Sequence, residues 1–408
     1  MSAASVSIIA TAMIEGRTVV LVTGPPLNGR DEYVQGAVSS CNEVAYYHLF
    51  KYMRQVAPRH GISNLTRLNV LSIGSSTLAG IRRDALLSII TEIKSSTKQL
   101  NLVSTPARFH VRASPHAPSG RVDGLLPSDL QLLCPDLIVT IIDDLINVRE
   151  RLRADRDWQS RVDPSLKTLA SWRADAISFI DENLSDLSLN VPHIIFARAH
   201  DHQTFCDLIE RKKPIIYLSY HITGAGEEEL RQKEQIRTRL QEHFVCLDPY
   251  TIKDWDIIHA YDQAVEAGKL SVGIGDVQLD VDEVEQAIDM IRTQTVTRDY
   301  SLINNAHATV VCHLSPDPSY GVMAELIHTV SQLSHPVYVL YPFLGRPSPF
   351  FEYYASPPEE RIIRKGTKNE DLSALIDRLI SRMLQDISRG VWTTWPQHPQ
   401  PNSGPSSC

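Results

Sequence analysis

Short apolar runs that end in a turn and lead into a helical pattern recur along the whole chain. Such continuous runs are typical of parallel strands, because helices bury a parallel sheet on both of its faces. The alternation therefore predicts an α/β protein with doubly wound parallel sheets. The runs that carry this prediction are "RTVVLVTG" (17–24), "RLNVLSIG" (67–74), "QLNLVSTP" (99–106), "PDLIVTIIDD" (135–144), "VPHIIFARA" (191–199), "KPIIYLSYHITG" (213–224), "ATVVCHL" (308–314) and "PVYVLYP" (336–342).

The chain has 408 residues, which is enough for more than one domain. The runs before the helical stretch "HQTFCDLIERK" predict one α/β unit, and those from "KPIIYLSYHITG" onward predict another. The junction near residues 211–214 is short and charged. We therefore predict an N-terminal extension (1–14), a first domain (15–212), a second domain with a C-terminal helix (213–390), and a disordered Pro/Ser-rich tail (391–408).

Charge and cysteine usage limit the partners and the compartment. A net charge of −8 argues against nucleic-acid binding. Six cysteines without C-x-x-C spacing predict reduced thiols in the cytoplasm and no zinc or other metal site. The N-terminus lacks a basic region before its short apolar run, and no apolar stretch approaches the ~20 residues of a membrane span. We expect a cytoplasmic protein without membrane association.

"GPPLNGRD" (24–31) has the G-x-x-x-x-G skeleton of a phosphate-binding loop directly after a strand. Its glycines can let backbone N–H groups point at phosphate oxygens, so Gly24, Asn28, Gly29 and Arg30 are candidate nucleotide-binding residues, for ATP or a similar nucleotide. The motif requires Lys and then Ser or Thr next, and Arg30 and Asp31 stand there instead. Arg does not reproduce the geometry of Lys, and Asp31 brings a negative charge to the phosphate position. We predict no appreciable phosphoryl transfer.

The wider pattern of residues 15–212 resembles an archaeal-type adenylate kinase. The resemblance rests on the loop, on "AGIRRDALLSII" (79–90), on "GRVDGLLPSDLQLLCPDLIVTIIDD" (120–144) and on "VRERLRADRDW" (148–158), where such kinases carry an arginine-rich lid. It implies a P-loop kinase fold, here as a degenerate nucleotide-binding or purely structural module. The arginines concerned either line a lid or lie on solvated helix faces; they are Arg82, Arg83, Arg149, Arg151 and Arg153.

A second group of chemically suggestive residues lies in the C-terminal half. Tyr217 is in the strand that opens the second domain, and Asp299 precedes the run "ATVVCHL". Glu325 follows that run in the pattern S-x-G-V-x-x-E (319–325). If these strands are neighbours, the three side chains converge at the carboxyl edge of the sheet, where open α/β sheets bind ligands. The alternatives are a core aromatic for Tyr217, a helix cap for Asp299 and a partner of the helix dipole for Glu325.

Two carboxylates and a phenol are suited to cleaving an N-glycosidic bond. A glutamate can attack the anomeric carbon and form a glycosyl ester, while a second acid assists the leaving base or orients the sugar. The phenol can hold the glutamate in line through a hydrogen bond. This chemistry requires no cofactor.

Residues 213–345 resemble the nucleoside 2-deoxyribosyltransferase superfamily, most closely its deoxynucleoside 5′-monophosphate N-hydrolases. "RDYSLINNAHATVV" follows that family's D-x-x-x-L-x-x-A-D-x-V-V stretch, and S-x-G-V-x-x-E matches its nucleophile motif. The resemblance implies that Glu325 is the nucleophile, Asp299 the acid or sugar-hydroxyl partner, and Tyr217 the positioning phenol.

The same resemblance implies a set of substrate-binding residues. Ser319 and Gly321 would bind the 5′ side of the substrate. The family's first loop reads G-S-I-R-G, and its place is taken here by His221, Ile222, Thr223 and Gly224. A second family aspartate is replaced by His307. The 5′-phosphate is therefore either held differently or not recognised.

The expected function is cleavage of the base–sugar bond of a nucleotide or nucleoside, by hydrolysis or by transfer to another base. One alternative is splitting NAD at its nicotinamide–ribose bond, and another is a non-catalytic nucleotide-sensing protein. The resembled superfamily completes its pocket with a neighbouring chain, so we expect a homodimer or larger oligomer. The C-terminal helix carries an apolar stripe that either supports this or docks on its own domain: Leu372, Leu375, Ile376, Leu379, Ile380 and Met383.

Overall fold

The computed structural model of this chain describes residues 16–41, 43–112, 120–222, 225–315, 319–355 and 359–392. The predicted extension (1–14), nearly all of the predicted tail, and Thr223 and Gly224 lie outside these residues. The described residues form two compact units. The first comprises those of Met1–Ile209 and Ile252–Thr295, and the second those of Glu210–Thr251 and Val296–Cys408.

The first unit is built on a five-stranded parallel sheet and two small antiparallel hairpins. Its strands are β1 (Thr18–Thr23), β2 (Val44–His48), β3 (Leu100–Ser104), β4 (Arg108–His110), β5 (Arg121–Asp123), β6 (Leu137–Ile142), β7 (His193–Ala197), β10 (Ser271–Ile274) and β11 (Val277–Asp280). The sheet order is β2-β3-β1-β6-β7, and the hairpins are β4-β5 and β10-β11. Because β1 is central, the glycine loop that follows it starts at the middle of the sheet's carboxyl edge.

Helices cover this sheet and supply most of the apolar core. They are α1 (Arg30–Ser40), α2 (Leu49–Val56), α3 (Ser75–Ser95), α4 (Pro127–Leu133), α5 (Leu145–Ala154), α6 (Leu166–Asp186), α7 (His202–Ile209), α9 (Asp254–Glu266) and α10 (Val281–Asn304), with 3₁₀ turns at Ala57–His60 and Asn69–Ser72. The last of these helices, α10, runs across the boundary between the two units.

The second unit has its own five-stranded parallel sheet. Its strands are β8 (Ile215–Tyr220), β9 (Val245–Leu247), β12 (Ala308–Cys312), β13 (Val337–Tyr341) and β14 (Ile362–Arg364). Its helices are α8 (Glu227–Gln241), the end of α10, α11 (Tyr320–His328), α12 (Pro349–Ala355) and α13 (Leu372–Ser388), with short turns at Pro249–Thr251, Thr329–Leu333 and Glu359–Arg361.

The order of the second sheet is β14-β13-β12-β8-β9, so the direction of winding reverses between β8 and β12. Such a reversal opens a crevice at the carboxyl ends of the two central strands. The predicted fold class, two doubly wound parallel sheets flanked by helices, is confirmed by the two sheets.

The run "RLNVLSIG" forms no strand, contrary to the prediction. It contains the 3₁₀ turn Asn69–Ser72, in which the side chain of Asn69 accepts from the Thr66 amide at 2.8 Å and Thr66 Oγ1 accepts from the Asn69 amide at 3.1 Å. Val70 and Leu71 are buried in the core of the first unit. A short apolar run does not distinguish a strand from a buried turn, which explains the error.

Residues 252–295, which the sequence analysis assigned to the second domain, belong to the first unit. Asp254 accepts from the amide of Leu145 at 2.8 Å and forms an ion pair with Arg173 at 2.6 Å. The apolar side chains of Ile257 and Ile291 join the core of the first unit. The segment therefore returns to a unit that the chain left more than 40 residues earlier, at Ile209.

The prediction of reduced thiols is wrong for Cys41 and Cys206, which form a disulfide with their Cα atoms 5.8 Å apart. The two cysteines are 165 residues apart, so their spacing carried no signal. They meet because α1 packs on α7, where the rings of Tyr33 and His202 lie 4.9 Å apart. Within the described part of the chain, no helix has the length and apolarity needed to cross a bilayer.

The apolar stripe of the C-terminal helix docks on its own unit. Leu375, Ile376, Leu379, Ile380 and Met383 are buried in the core beside β12 and β13, and Leu372 packs at its margin. The stripe therefore contributes to folding, and it no longer supports the predicted oligomer.

Candidate active site

The best-defined candidate site lies where the second sheet reverses its winding. Tyr217 and Ser219 are in β8, beside Thr309 and Val311 of β12. Because side chains alternate along a strand, Tyr217 and Ser219 point to one face, while Leu218 joins the core on the other. Helix α11 covers the first face and directs Glu325 at the pair.

Glu325 is anchored by two hydroxyl donors. The Tyr217 hydroxyl donates to Oε1 at 2.9 Å, and the Ser219 hydroxyl donates to Oε2 at 2.5 Å. Both donors belong to fully buried residues. One turn on, the Thr329 hydroxyl donates to the Glu325 carbonyl at 2.8 Å and contacts the Thr309 hydroxyl at 3.2 Å. These contacts fix both the carboxyl group and the helix that carries it.

Glu325 is not the dipole partner that the sequence left open. The helix begins at Tyr320 and has no acidic residue in its first turn, so Glu325 lies in its second turn. The cap is Ser319, whose hydroxyl accepts from the Val322 amide at 3.4 Å. Tyr217 is a buried aromatic, but its hydroxyl is committed to Glu325 and is therefore more than core packing.

Asp299 lies within the second half of α10 and is not a helix cap. Its carboxylate accepts from Arg298 Nε at 3.0 Å and from a terminal guanidinium nitrogen at 2.9 Å. Both side chains are mostly buried, at 11% and 13% exposure. Asp299 has no direct bond to Glu325 among the described contacts, but its charge acts on both Glu325 and Tyr217.

Burial and nearby charges shift the pKa values of all three groups. Burial of the carboxyl group and the negative charge of Asp299 raise the pKa of Glu325 from 4.5 to about 8, against the hydrogen bonds from Ser219 and Tyr217. Burial also raises the pKa of Asp299, although Arg298 lies beside it. Burial and the two carboxylates raise the pKa of the Tyr217 phenol well above 10.0, so it remains a donor. Acids whose pKa values are shifted by burial and by a nearby charge are typical of functional sites.

The predicted substrate-binding residues are only partly organised around this group. Ser319 caps α11, and Gly321 lies exposed in its first turn, where an added Cβ would make only an ordinary contact with Ser319 Oγ at 3.9 Å. The Nδ1 atom of His221 is buried without a hydrogen-bond partner among the described residues, whereas Ile222 packs against the core. Thr223 and Gly224 lie outside the described residues.

His307 lies just before β12, at the opposite end of the strand from the site. Its Nδ1 accepts from the Ile215 amide at 3.0 Å, and its own amide donates to the Ile215 carbonyl at 2.9 Å. Burial lowers the pKa of His307 to about 4, which keeps the ring neutral. His307 therefore joins two strands.

The sequence analysis missed two members of the site. Ser219 follows Tyr217 by two residues, so the period of a strand could have placed it on the same face. Arg298 is adjacent to Asp299 in the sequence, and an adjacent pair gives no sign that the two side chains bond. Together, the Glu325 carboxyl group, two hydroxyls and an arginine-paired aspartate can provide a nucleophile, its positioning donors and a second acid.

In the glycine loop of the first unit, the groups that could bind a ligand are already hydrogen-bonded to side chains of the loop and its neighbours. Arg30 is buried, and its guanidinium bonds both oxygens of Asp31, at 3.0 and 2.8 Å. Asp31 also accepts from the Ser104 hydroxyl at 2.6 Å and contacts His48 at 3.2 Å. Burial would raise the pKa of Asp31, but the Arg30 charge and the hydrogen bonds from His48 and Arg30 outweigh it and lower the pKa. The carboxylate therefore stays ionised.

Asn28 and Gly24 complete this closure. The Asn28 side chain accepts from the Arg30 amide at 3.0 Å and donates to the carbonyl of Ile141. A Cβ at Gly24 would collide with that same carbonyl, so a glycine is required there. Gly29 has φ 75°, and a Cβ there would lie 2.5 Å from Arg198 Nε. Of the four predicted loop residues, none presents a free cation to a ligand.

Three of the five lid arginines are structural. Arg82 is buried and pairs with Asp129 at 2.5 Å, and Arg149 is buried and pairs with Glu283 at 3.0 Å. Arg151 donates to the Leu27 carbonyl at 2.6 Å and also pairs with Asp143. The two remaining arginines, Arg83 and Arg153, are exposed, as the alternative of a solvated face expects.

Over the described ranges, no group of three or more His, Cys, Asp or Glu side chains is arranged to hold a metal ion. A comparison with models of known protein families gave no match, and a comparison with curated proteins gave none either. The fold and the two sites define an α/β protein of two doubly wound units, one with a carboxylate–phenol site and one with a closed glycine loop.

Proposed function

We propose that the second unit cleaves the base–sugar bond of a nucleotide or nucleoside, with Glu325 as the nucleophile. The observation that carries this proposal is the Glu325 carboxyl group, held by the hydroxyls of Tyr217 and Ser219 at the point where the sheet reverses its winding. Open α/β sheets bind ligands at such points, and a carboxyl group fixed on both oxygens is positioned for attack.

In the proposed reaction, a Glu325 oxygen attacks the anomeric carbon and the bond to the base nitrogen breaks. The base leaves with the bonding electrons and takes a proton from an acid or from water. Water, or a second base, then opens the glycosyl ester. Tyr217 and Ser219 hold the nucleophile in line, and Asp299 provides the second acid or binds a sugar hydroxyl.

The raised pKa of Glu325 fits this chemistry. A nucleophile that is protonated near neutrality without substrate becomes ionised when positive charge develops on the sugar ring. The ion pair with Arg298 holds the Asp299 carboxylate near the site. The charge of Arg298 lowers the pKa of Glu325 less than burial raises it, so that pKa stays raised. We therefore expect base release to increase with pH through the pKa of Glu325 when substrate is limiting.

The substrate class is a nucleoside or nucleoside 5′-phosphate. Ser319 already caps α11, so its hydroxyl is less free to bind a phosphate than the resemblance implied. The unpartnered Nδ1 of His221 is the better candidate for a polar contact to the sugar side of the substrate. No cofactor is needed for any of these steps.

The test is incubation of the full chain with a panel of ribo- and deoxyribonucleosides, their 5′-phosphates and NAD, followed by chromatography for free base. Release of purine or pyrimidine base that Glu325→Gln abolishes supports the proposal. Release of nicotinamide alone would indicate NAD cleavage instead. Binding without release of any base would favour a sensing protein. Glu227→Gln, which changes an exposed glutamate of the same unit, is the matched control.

We also propose that the second unit self-associates. Large apolar side chains of α11 and α12 are largely exposed: Tyr320 at 90%, Phe350 at 77% and Tyr353 at 75%. Large exposed aromatic side chains on two adjoining helices are typical of interaction surfaces. With the C-terminal stripe occupied internally, these two helices are the stronger candidates for a homodimer contact.

A further inference from the structure

The first unit has a partly open cavity of about 610 Å³ beside its glycine loop. Small-molecule sites span roughly 300–1,000 Å³, so the cavity can hold a ligand the size of a nucleoside. Its walls are mainly apolar or aromatic, and they include Leu27, Phe50, Met53, Val70, Phe109 and Trp158. Phe109 and Trp158 stack with their rings 5.9 Å apart and only 6° from parallel. Such walls suit a flat heteroaromatic ring.

The part of the cavity where a phosphate would bind is already filled. The Arg30 guanidinium lies in the loop, bonded to Asp31, to the Ser104 hydroxyl at 3.0 Å and to the Gly24 carbonyl at 3.4 Å. The Arg30 amide, which a phosphate oxygen would need, is bonded to Asn28. A phosphate would have to break this ion pair, in which Arg30 is buried and Asp31 is partly exposed, and then face the Asp31 carboxylate.

The charges around the cavity are balanced as well. Each arginine among its described lining residues has a carboxylate partner. The pairs are Arg30–Asp31, Arg67–Asp155, Arg82–Asp129 and Arg151–Asp143. The lining also contains Glu32 and Asp123. A polyanion would therefore enter a site that offers it no uncompensated arginine among those lining residues.

We infer that this cavity binds an uncharged heteroaromatic molecule, a nucleoside or a free nucleobase, and discriminates against its phosphorylated forms. The aromatic walls stack on the ring, while Thr105 and the carboxylates at the polar edge can hydrogen-bond its donors and acceptors. The inference rests on the first unit alone. It stands or falls independently of base release by the second unit.

The test is calorimetric titration of the full chain carrying Glu325→Gln, so that no substrate is consumed. The probes are adenine, guanine, adenosine, guanosine, cytidine and thymidine, and the mono- and triphosphates of each nucleoside, with Mg²⁺. The same titrations with Met53→Trp added isolate the cavity, because a larger side chain at that buried wall position fills it. Phe50→Ala, which removes a wall ring, serves the same purpose if the larger side chain prevents folding.

We expect at least one base or nucleoside to bind, to lose at least tenfold in affinity with either cavity variant, and to bind at least tenfold more tightly than its triphosphate. The double variant R30K/D31S, which removes the internal pair and restores the motif's Lys and Ser, should shift that preference toward the triphosphate by at least tenfold. Binding of the triphosphate as tightly as the nucleoside would overturn the inference. So would the absence of binding by every probe, or binding that neither cavity variant weakens.

Discussion

Glu325→Gln should make the protein more stable, and the gain should grow with pH. The pKa of Glu325 is raised from 4.5 to about 8 in the folded protein, mainly by burial and by the charge of Asp299. Below the pKa that Glu325 has in the unfolded chain, the group is protonated in both states and does not change the free energy of unfolding. Between the two pKa values the unfolded chain ionises while the folded one keeps its proton, so stability falls as pH rises. A glutamine side chain does not titrate, so the variant does not lose stability in this way as pH rises.

The size of the effect follows from the two pKa values. Each pKa unit is ~1.36 kcal/mol, so the full displacement sets an upper bound of about 5 kcal/mol above pH 8. Water at the half-buried carboxyl group lowers this bound, and we expect a gain of about 2–3 kcal/mol in the free energy of unfolding. The amide can still accept from Tyr217, so most of the packing is preserved.

Urea unfolding of the full chain at pH 5, 7 and 9 measures this gain, with fluorescence and circular dichroism followed together to separate the two units' transitions. The exposed substitution Glu227→Gln, in the first turn of α8, is the control for removing a carboxylate from the same unit. A difference between Glu325→Gln and wild type that is the same at pH 5 and pH 9, or that narrows as pH rises, would refute the reasoning.

Three further predictions concern the loop, the disulfide and the assembly. Because the Arg30 guanidinium is bonded to Asp31, we expect no phosphoryl transfer from ATP to any nucleoside monophosphate. Chromatography that shows Mg²⁺-dependent formation of a nucleoside diphosphate, lost when Arg30 is changed, would contradict this. Cys41→Ser should lower the free energy of unfolding of the first unit by about 2–4 kcal/mol, and equal stability in oxidising buffer would contradict it. Light scattering at micromolar concentration should give a molar mass of at least twice 45.7 kDa. The double variant Tyr320→Ser and Tyr353→Ser should lower that mass, and a monomeric mass for the wild type would exclude the dimer.

The sequence predicted the α/β architecture because strands buried on both faces leave apolar runs, and these runs alternate repeatedly with helical patterns along the chain. It also predicted the meeting of Tyr217 and Glu325, since Tyr217 lies in one apolar run and Glu325 in the helix after another, and the two runs proved to be neighbouring strands. Ser219 was missed although its position two residues from Tyr217 implied the same face.

Other features depend on contacts between distant segments. The Cys41–Cys206 disulfide joins residues 165 positions apart. The return of residues 252–295 to the first unit includes contacts as distant in sequence as the Arg173–Asp254 ion pair. The apolar stripe of α13 is equally consistent with docking inside or outside the unit, because periodicity gives a face and not its partner. The closure of the glycine loop requires the positions of Ser104 and Asn28, which the loop pattern alone does not give.

The most direct test of the central claim is whether a sugar becomes attached to Glu325 during turnover. The full chain is mixed with a substrate from the base-release panel, quenched in acid within milliseconds, digested and examined by mass spectrometry. We predict a pentosyl or pentosyl-phosphate adduct on the peptide of α11, localised to Glu325 and absent from Glu325→Gln. Base release with no adduct on that peptide, at a rate that Glu325→Gln leaves unchanged, would contradict the account.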